Sequence, residues 1–246
     1  MHISIKIMPI LLLVACTNKP VEKQKEKYAE PFPVVKDTMG HEVFVSEFYL
    51  QRPDAITNSR FLLYYIGPSA KTLYLNFFDV MRLKPPPLLS KEAYANYKLP
   101  DSPLKNYFAD YNEENTERYS KKGVIEIRVD TTQSIYNSYP VLIVNKGDDT
   151  TIVGASNNFS LALEALDSLG KWRSIQQPHI IGCGTGLRCI ILPPNECGLT
   201  LLYKFTGDYK TKLRLRFENY YSEPFNGSIP YWLFDYAARH SDPLLY

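Results

Sequence analysis

The sequence predicts an all-β chain in two parts, an N-terminal β-domain with a long loop excursion and a C-terminal two-sheet sandwich. A period of two dominates from Glu42 onward, carried by β-branched and aromatic residues. From Tyr139, six short strands follow in about 80 residues with turn residues between them, the spacing of a sandwich. Composition agrees. The chain is 45% hydrophobic and 13% aromatic, with Gly and Pro near average usage at 12 and 18 of 246 residues, so it can build a core and is not low-complexity.

The chain opens MHISIKIMPILLLVAC: a short positive region ending in Lys6, an apolar run from Ile7 to Ala15, then Cys16. That order is a secretory signal, and the nine-residue run is too short for a membrane span, which needs about 20 helical residues. Leu13-Val14-Ala15-Cys16 resembles the lipobox of bacterial lipoproteins. The resemblance implies cleavage before Cys16, diacylglycerol and amino-terminal acyl chains (palmitate among them) on that cysteine, and attachment to the cell envelope, with the outer membrane the expected location. Several acyl chains make a durable anchor, since each buried methylene contributes about 0.8 kcal/mol. Residues 1–15 are therefore the expected signal peptide, and 16–33 the lipidated cysteine with its tether. Thr17 to Glu30 holds four lysines, three glutamates and few apolar residues. Extended, it reaches roughly 45 Å, enough to clear the lipid headgroups.

Residues 34–134 are the expected N-terminal β-domain. "EVFVSEFYL" (Glu42–Leu50), "RFLLYYI" (Arg60–Ile66), "TLYLNFF" (Thr72–Phe78) and "GVIEIRVD" (Gly123–Asp130) read as strands, separated by Pro53, Asn58 and Gly67-Pro68. Between them, Lys84 to Lys122 lacks sustained periodicity, and loops of that length are functional or disordered. Short helical turns fit Lys91–Tyr97 and Leu104–Tyr111. Its five tyrosines, Tyr94, Tyr97, Tyr107, Tyr111 and Tyr119, either pack on the sheet or, facing water, bind sugars or peptides.

Residues 135–230 are the expected sandwich and 231–246 a tail. The strands are "YPVLIVN", "NFSLALEALD", "GKWRSIQ", "LRCIILPPNE", "CGLTLLYKF" and "GDYKTKLRLRF". Alternation places Leu199, Leu201, Tyr203 and Phe205 on one face of the fifth, and Thr211, Leu213, Leu215 and Phe217 on one face of the sixth. The order of Asn145, "LALEALD", Gly170-Lys171-Trp172, Leu192-Pro193-Pro194-Asn195-Glu196 and Gly207-Asp208-Tyr209 resembles bacterial immunoglobulin-like or fibronectin-III-like modules. By that resemblance Trp172 plugs the space between the sheets, the Leu-Pro segment carries the chain from one sheet to the other, and Gly-x-Tyr opens the last strand. Cys197 and Gly198 depart from the family, which often has a tyrosine after the turn.

Candidate chemistry centres on three places. In "HIIGCGTGLRCIILPPNECG", Cys183, Cys189 and Cys197 suit one disulfide plus a leftover thiol in an exported protein. Cys183–Cys189 is the preferred pair, because "GTGLR" can turn back between them, but all three pairings stay open. With His179 these cysteines lack the short C-x2-C or C-x4-C elements of zinc sites, so no metal is expected. Gly182, Gly184 and Gly186 precede a strand, not the helix of a dinucleotide site, so they read as a turn. Second, Lys210, Lys212, Arg214 and Arg216 project from one strand face over about 20 Å. They are either a binding stripe for an acidic glycan or protein, or a solvated charged face that blocks sheet-to-sheet aggregation. Third, Asp110, Glu113, Glu114 and Glu117 in the excursion could serve a carboxylate-only hydrolase. His41 and His179 are the remaining general-base candidates, and Trp232 and Phe234 in the tail a docking pair.

Removing residues 1–15 deletes one lysine, lowering the formal charge from +2 to +1. That balance argues against a nucleic-acid partner. G-x-S-x-G, H-E-x-x-H, P-loop and C-x-x-C signatures are absent, and no cofactor is expected. The expected role is a lipid-anchored envelope protein that binds or scaffolds an envelope protein or glycan without catalysis. The alternative is a glycan-binding protein or glycan-directed hydrolase using the Tyr-rich loop.

Overall fold

The computed structural model describes residues 31–37, 61–75, 106–119, 123–135, 137–178 and 188–239. In chain order the strands are β1 (Val34–Asp37), β2 (Phe61–Leu62), β3 (Tyr65–Pro68), β4 (Thr72–Leu75), β5 (Phe108–Asp110), β6 (Ile125–Val129), β7 (Ser138–Asn145) and β8 (Thr151–Ala155). They continue with β9 (Asn158–Phe159), β10 (Ala162–Leu166), β11 (Trp172–Gln176), β12 (Arg188–Leu192), β13 (Glu196–Tyr203), β14 (Tyr209–Phe217), β15 (Tyr220–Tyr221) and β16 (Phe225–Ile229). Two short helices, α1 (Glu113–Tyr119) and α2 (Leu233–Arg239), complete the described elements. The protein is all-β.

Apart from the parallel pair β1–β4, every sheet is antiparallel. The first sheet runs β2-β9-β8-β12-β5, the second β3-β13-β7-β6, and the third β11-β10-β14-β15 with β16 also on β14. The described residues from Phe32 onward belong to one compact unit. The boundary expected between residues 134 and 135 falls between β6 and β7, which are hydrogen-bonded neighbours. β2, β3 and β5 likewise pair with β9, β13 and β12. Both expected β-regions thus contribute strands to the same sheets.

The second sheet is buried on both faces, and period two explains how. Val141 and Ile143 of β7 join the main core with Phe159, Leu163, Ile190 and Leu215 from the other two sheets. The intervening Leu142 and Val144 join Cys197, Leu199 and Leu201 in a smaller core covered by Val35 and Leu73 of β1 and β4. Leu199 and Leu201 therefore share a face as expected. Tyr203 and Phe205, expected on that same face, pack on the main core instead: alternation lapses at Tyr203, the last residue of β13, and Phe205 lies beyond the strand. Gly198 lets the tip of the Phe159 ring approach the second sheet closely, since an added Cβ would stand 2.4 Å from its Cζ.

Several elements depart from expectation. Within the strand expected from Arg60 to Ile66, the described residues 61–66 divide between β2 and β3, and the sequence TIVGA forms β8. In the excursion, residues 106–107 make a 3₁₀ turn leading into β5, where a helical turn was expected. The helix comes later: Asn112 caps α1, its Oδ1 accepting from Asn115 N at 2.8 Å. Past β14, which was expected to be last, come β15 and β16. The expected strand Glu42–Leu50, the turn at Lys91–Tyr97, residues 76–78 of the third strand, the segment 1–30 with Cys16, and residues 240–246 lie outside the described residues.

Turns and corners are held by side chains. Asp167 closes the β10–β11 hairpin, its Oδ1 accepting from Leu169 N and Lys171 N at 2.9 Å each, with Gly170 at φ +73°. The Leu192-Pro193-Pro194 corner carries the chain from the first sheet to the second, as the resemblance implied. Fully buried Asn145 pins it, donating from Nδ2 to the carbonyls of Leu192 and Asp149 and accepting from Gly147 N. Asp130 secures β1 indirectly: it accepts from Gln133, whose amide in turn bonds Val35 N and the Pro33 carbonyl. Burial raises the Asp130 pKa, but hydrogen bonds from Thr132 and Gln133 outweigh it and hold the carboxyl below its ordinary range.

Candidate binding groove at the end of β14

β14 alternates over its whole length, burying Leu213, Leu215 and Phe217 and turning Lys210, Lys212, Arg214 and Arg216 to the other face. The stripe predicted from spacing is real, and its neighbours divide it in two. β10 pairs with β14 only from Leu213 to Arg216. Over Tyr209 to Lys212 the strand partner is β16 alone.

The covered half is ion-paired. Glu164 of β10, 7% exposed, lies between both arginines. Its Oε2 accepts from Arg214 Nε at 2.8 Å and its Oε1 from Arg216 Nε at 2.7 Å. Arg214 is also stacked between two rings, 4.2 Å from the Trp172 centroid and 4.1 Å from that of Tyr221. Trp172 is thus no plug between the sheets. It is half-buried on the outward face, because the register of β10 and β11 sets it on the same side as Glu164 and Arg214, away from the main core. Arg214 and Arg216 carry structure.

The overhanging half borders a groove of about 730 Å³. Tyr139, Tyr203, Phe205, Tyr209 and Phe225 supply its aromatic surface, and Lys204, Lys210 and Lys212 its positive charge. The rings brace one another: Tyr139 meets Phe225 edge-on at 6.2 Å, and Tyr203 meets Phe205 at 5.6 Å. Lys204 Nζ sits 4.4 Å from the Tyr139 centroid. Lys210 and Lys212 are exposed and have no ion-pair partner among the described residues. Asp167 is the one carboxylate among the groove's lining residues, and the β10–β11 turn already occupies one of its oxygens. The floor is fixed by Thr211 Oγ1 and Tyr209 OH, which donate to the Leu166 carbonyl at 2.6 and 3.3 Å. Gly207 makes the entry to β14 possible, since a Cβ there would lie 2.0 Å from the Ile229 carbonyl carbon.

Other candidates are placed apart from this groove. Cys189 and Cys197 are free, buried thiols on strands of different sheets. Burial raises both pKa values, and with the nearby Glu196 charge it pushes Cys197 to about 12, away from thiolate chemistry. Cys183, His179, Gly182, Gly184 and Gly186 lie outside the described residues, as do His41, Tyr94 and Tyr97. Tyr107 packs on the main core; burial first, then the neighbouring Glu196 carboxylate, raises its pKa to about 12. Tyr111 is exposed and Tyr119 half-buried, with Arg118 5.3 Å from the Tyr119 centroid. Glu113 and Glu114 open α1, where carboxylates suit a helix start, while Asp110 faces Arg188 across 3.8 Å. In the tail, Phe234 is buried beside Tyr209 and Tyr231, and Trp232 is 45% exposed.

Sequence reading missed Glu164 and the groove. A charge inside the apolar run "LALEALD" was the available signal for the first; the second draws its rings from β7, β13, β14, β16 and the segment after β13. No family model matches the chain, and neither a curated protein nor a solved structure matches it.

Proposed function

We propose that this chain is a lipid-anchored protein of the bacterial cell envelope that works by binding, and that an anionic envelope component occupies the groove beside Lys210 and Lys212. The observation that carries this reading is the groove's composition: five aromatic side chains and three lysines against the single Asp167. Aromatic faces give contact area at low entropic cost, and lysines without carboxylate partners select negative charge. The two-carboxylate arrangement of a glycoside hydrolase finds no support among these lining residues. Glycan binding remains the second reading, favoured by the tyrosine rings that edge the groove.

The test is photo-crosslinking in intact cells from the full chain, with the reactive residue at Asn226, which lines the groove, and at Leu169, which is exposed on the β10–β11 turn. A specific adduct from Asn226 and none from Leu169 is expected, and its mass identifies an acidic protein or a glycan. Identical products from both positions would remove the groove from the account. Separately, Cys16→Ala is expected to abolish lipid labelling and release the protein from membranes; retention of both would end the lipoprotein reading.

A further inference from the structure

The second sheet ends at β6, which among the described residues has a strand partner, β7, on one side only. The backbone polarity of that edge can be worked out. Lys146 N donates to the Val124 carbonyl at 2.7 Å, and Asp130 N donates to the Pro140 carbonyl at 3.0 Å. Even-numbered residues of β6 thus address β7, and in an antiparallel ladder the odd-numbered ones turn their N–H and C=O the other way. Ile125, Ile127 and Val129 present these groups to the open side. Gly123, next in that odd series, verifies the direction: its carbonyl accepts from Tyr220 OH at 2.7 Å, across from β6.

Along that open side runs a second groove of about 460 Å³, lined by every residue from Ile125 to Asp130 and closed by Phe32, Tyr221 and Glu223. Five strand residues span about 17 Å, so the slot has the length and the hydrogen-bonding groups of a missing strand. Most of its charges are already engaged. Glu126 faces Lys146 at 3.8 Å, Arg128 lies 5.5 Å from the Phe32 centroid, and Asp130 accepts from Thr132 and Gln133. Exposed Glu223 has no ion-pair partner among the described residues, so the charge left to answer is negative.

We propose that β6 is a docking edge: an extended segment of a partner protein, carrying a lysine or arginine opposite Glu223, adds to it as a further strand. The site is separate from the lysine groove, and its failure leaves that reading standing. Main-chain bonds at Ile125, Ile127 and Val129 hold the segment, and Glu223 selects its charge.

The probes are synthetic heptapeptides of alternating valine and lysine, or valine and glutamate, added at up to millimolar concentration to the full chain while amide exchange is followed by NMR. The lysine series is expected to slow exchange at Ile125, Ile127 and Val129 and to bind about fivefold tighter than the glutamate series, a preference lost in Glu223→Lys. N-methylating alternate peptide amides in one frame should abolish protection, and in the other frame spare it. Glu223→Lys lies on an exposed residue outside the ladder and keeps the fold testable. The inference is overturned if both N-methyl frames bind alike, if no peptide protects these amides, or if another strand edge is protected in their place. Concentration-dependent protection without peptide would assign the edge to a second copy of the chain and equally overturn it.

Discussion

Arg214 and Arg216 share a face of β14 with Lys210 and Lys212, at the same spacing and with the same charge sign. Their surroundings differ because β10 flanks the strand only as far as Leu213. Where β10 is present it supplies Glu164, and Trp172 and Tyr221 stack on Arg214. Where it has ended, the lysines stand at the border of an aromatic groove. Charge pattern alone therefore says little about use; what lies across the ladder decides whether a cation is structural or available.

The comparison breaks most directly at Glu164. Glu164→Ala leaves two guanidinium groups without their shared carboxylate, and it is expected to cost about 3 kcal/mol in urea unfolding. A loss below 1 kcal/mol would mean the arginine end is not a structural unit. Arg214→Lys keeps the charge but gives up the fork to Glu164 and the flat stack between two rings. Its expected cost is about 1 kcal/mol, read from the same transitions, and a neutral result would remove the stacking contribution. At the other end, the double change Lys210→Glu with Lys212→Glu should move stability by less than about 0.5 kcal/mol, since both groups are exposed and have no ion-pair partner among the described residues.

A smaller effect concerns pH. The Asp130 carboxyl is held below its ordinary value in the folded chain, so its contribution is complete above the unfolded value near 3.9 and fades as pH falls through the folded one. Asp130→Asn should flatten that acid limb, because the unfolded form no longer gains a proton first. An unchanged limb in an acid titration followed by fluorescence would assign the loss to other carboxylates.

Period two made β14 and the two faces of β13 readable, because both strands are long enough for alternation to outlast local exceptions. β8 escaped because "TIVGA" ends in small residues. Its Gly154 is needed where the Asn158 carbonyl approaches, an oxygen that would stand 2.1 Å from a Cβ. β16 escaped because its middle, Asn226 to Ser228, is polar, while only Phe225 and Ile229 are buried. Trp172 followed a pattern that fits a core plug, yet the residue that claims it, Arg214, is 42 positions away in sequence and reaches it through the third sheet. Of the candidate site, the lysines were legible from spacing. The groove beside them was not, since Tyr139, Tyr203 and Tyr209 come together only through strand pairing across two sheets.

The central claim is that the lysine end of β14 binds while the arginine end holds the fold. Its most direct measurement is the crosslink yield from Asn226 in intact cells carrying Lys210→Glu with Lys212→Glu, normalised to protein level. The account predicts a fall of at least about tenfold, the equivalent of 1.4 kcal/mol in binding, with unfolding unchanged. A yield equal to that of the unaltered chain would contradict it.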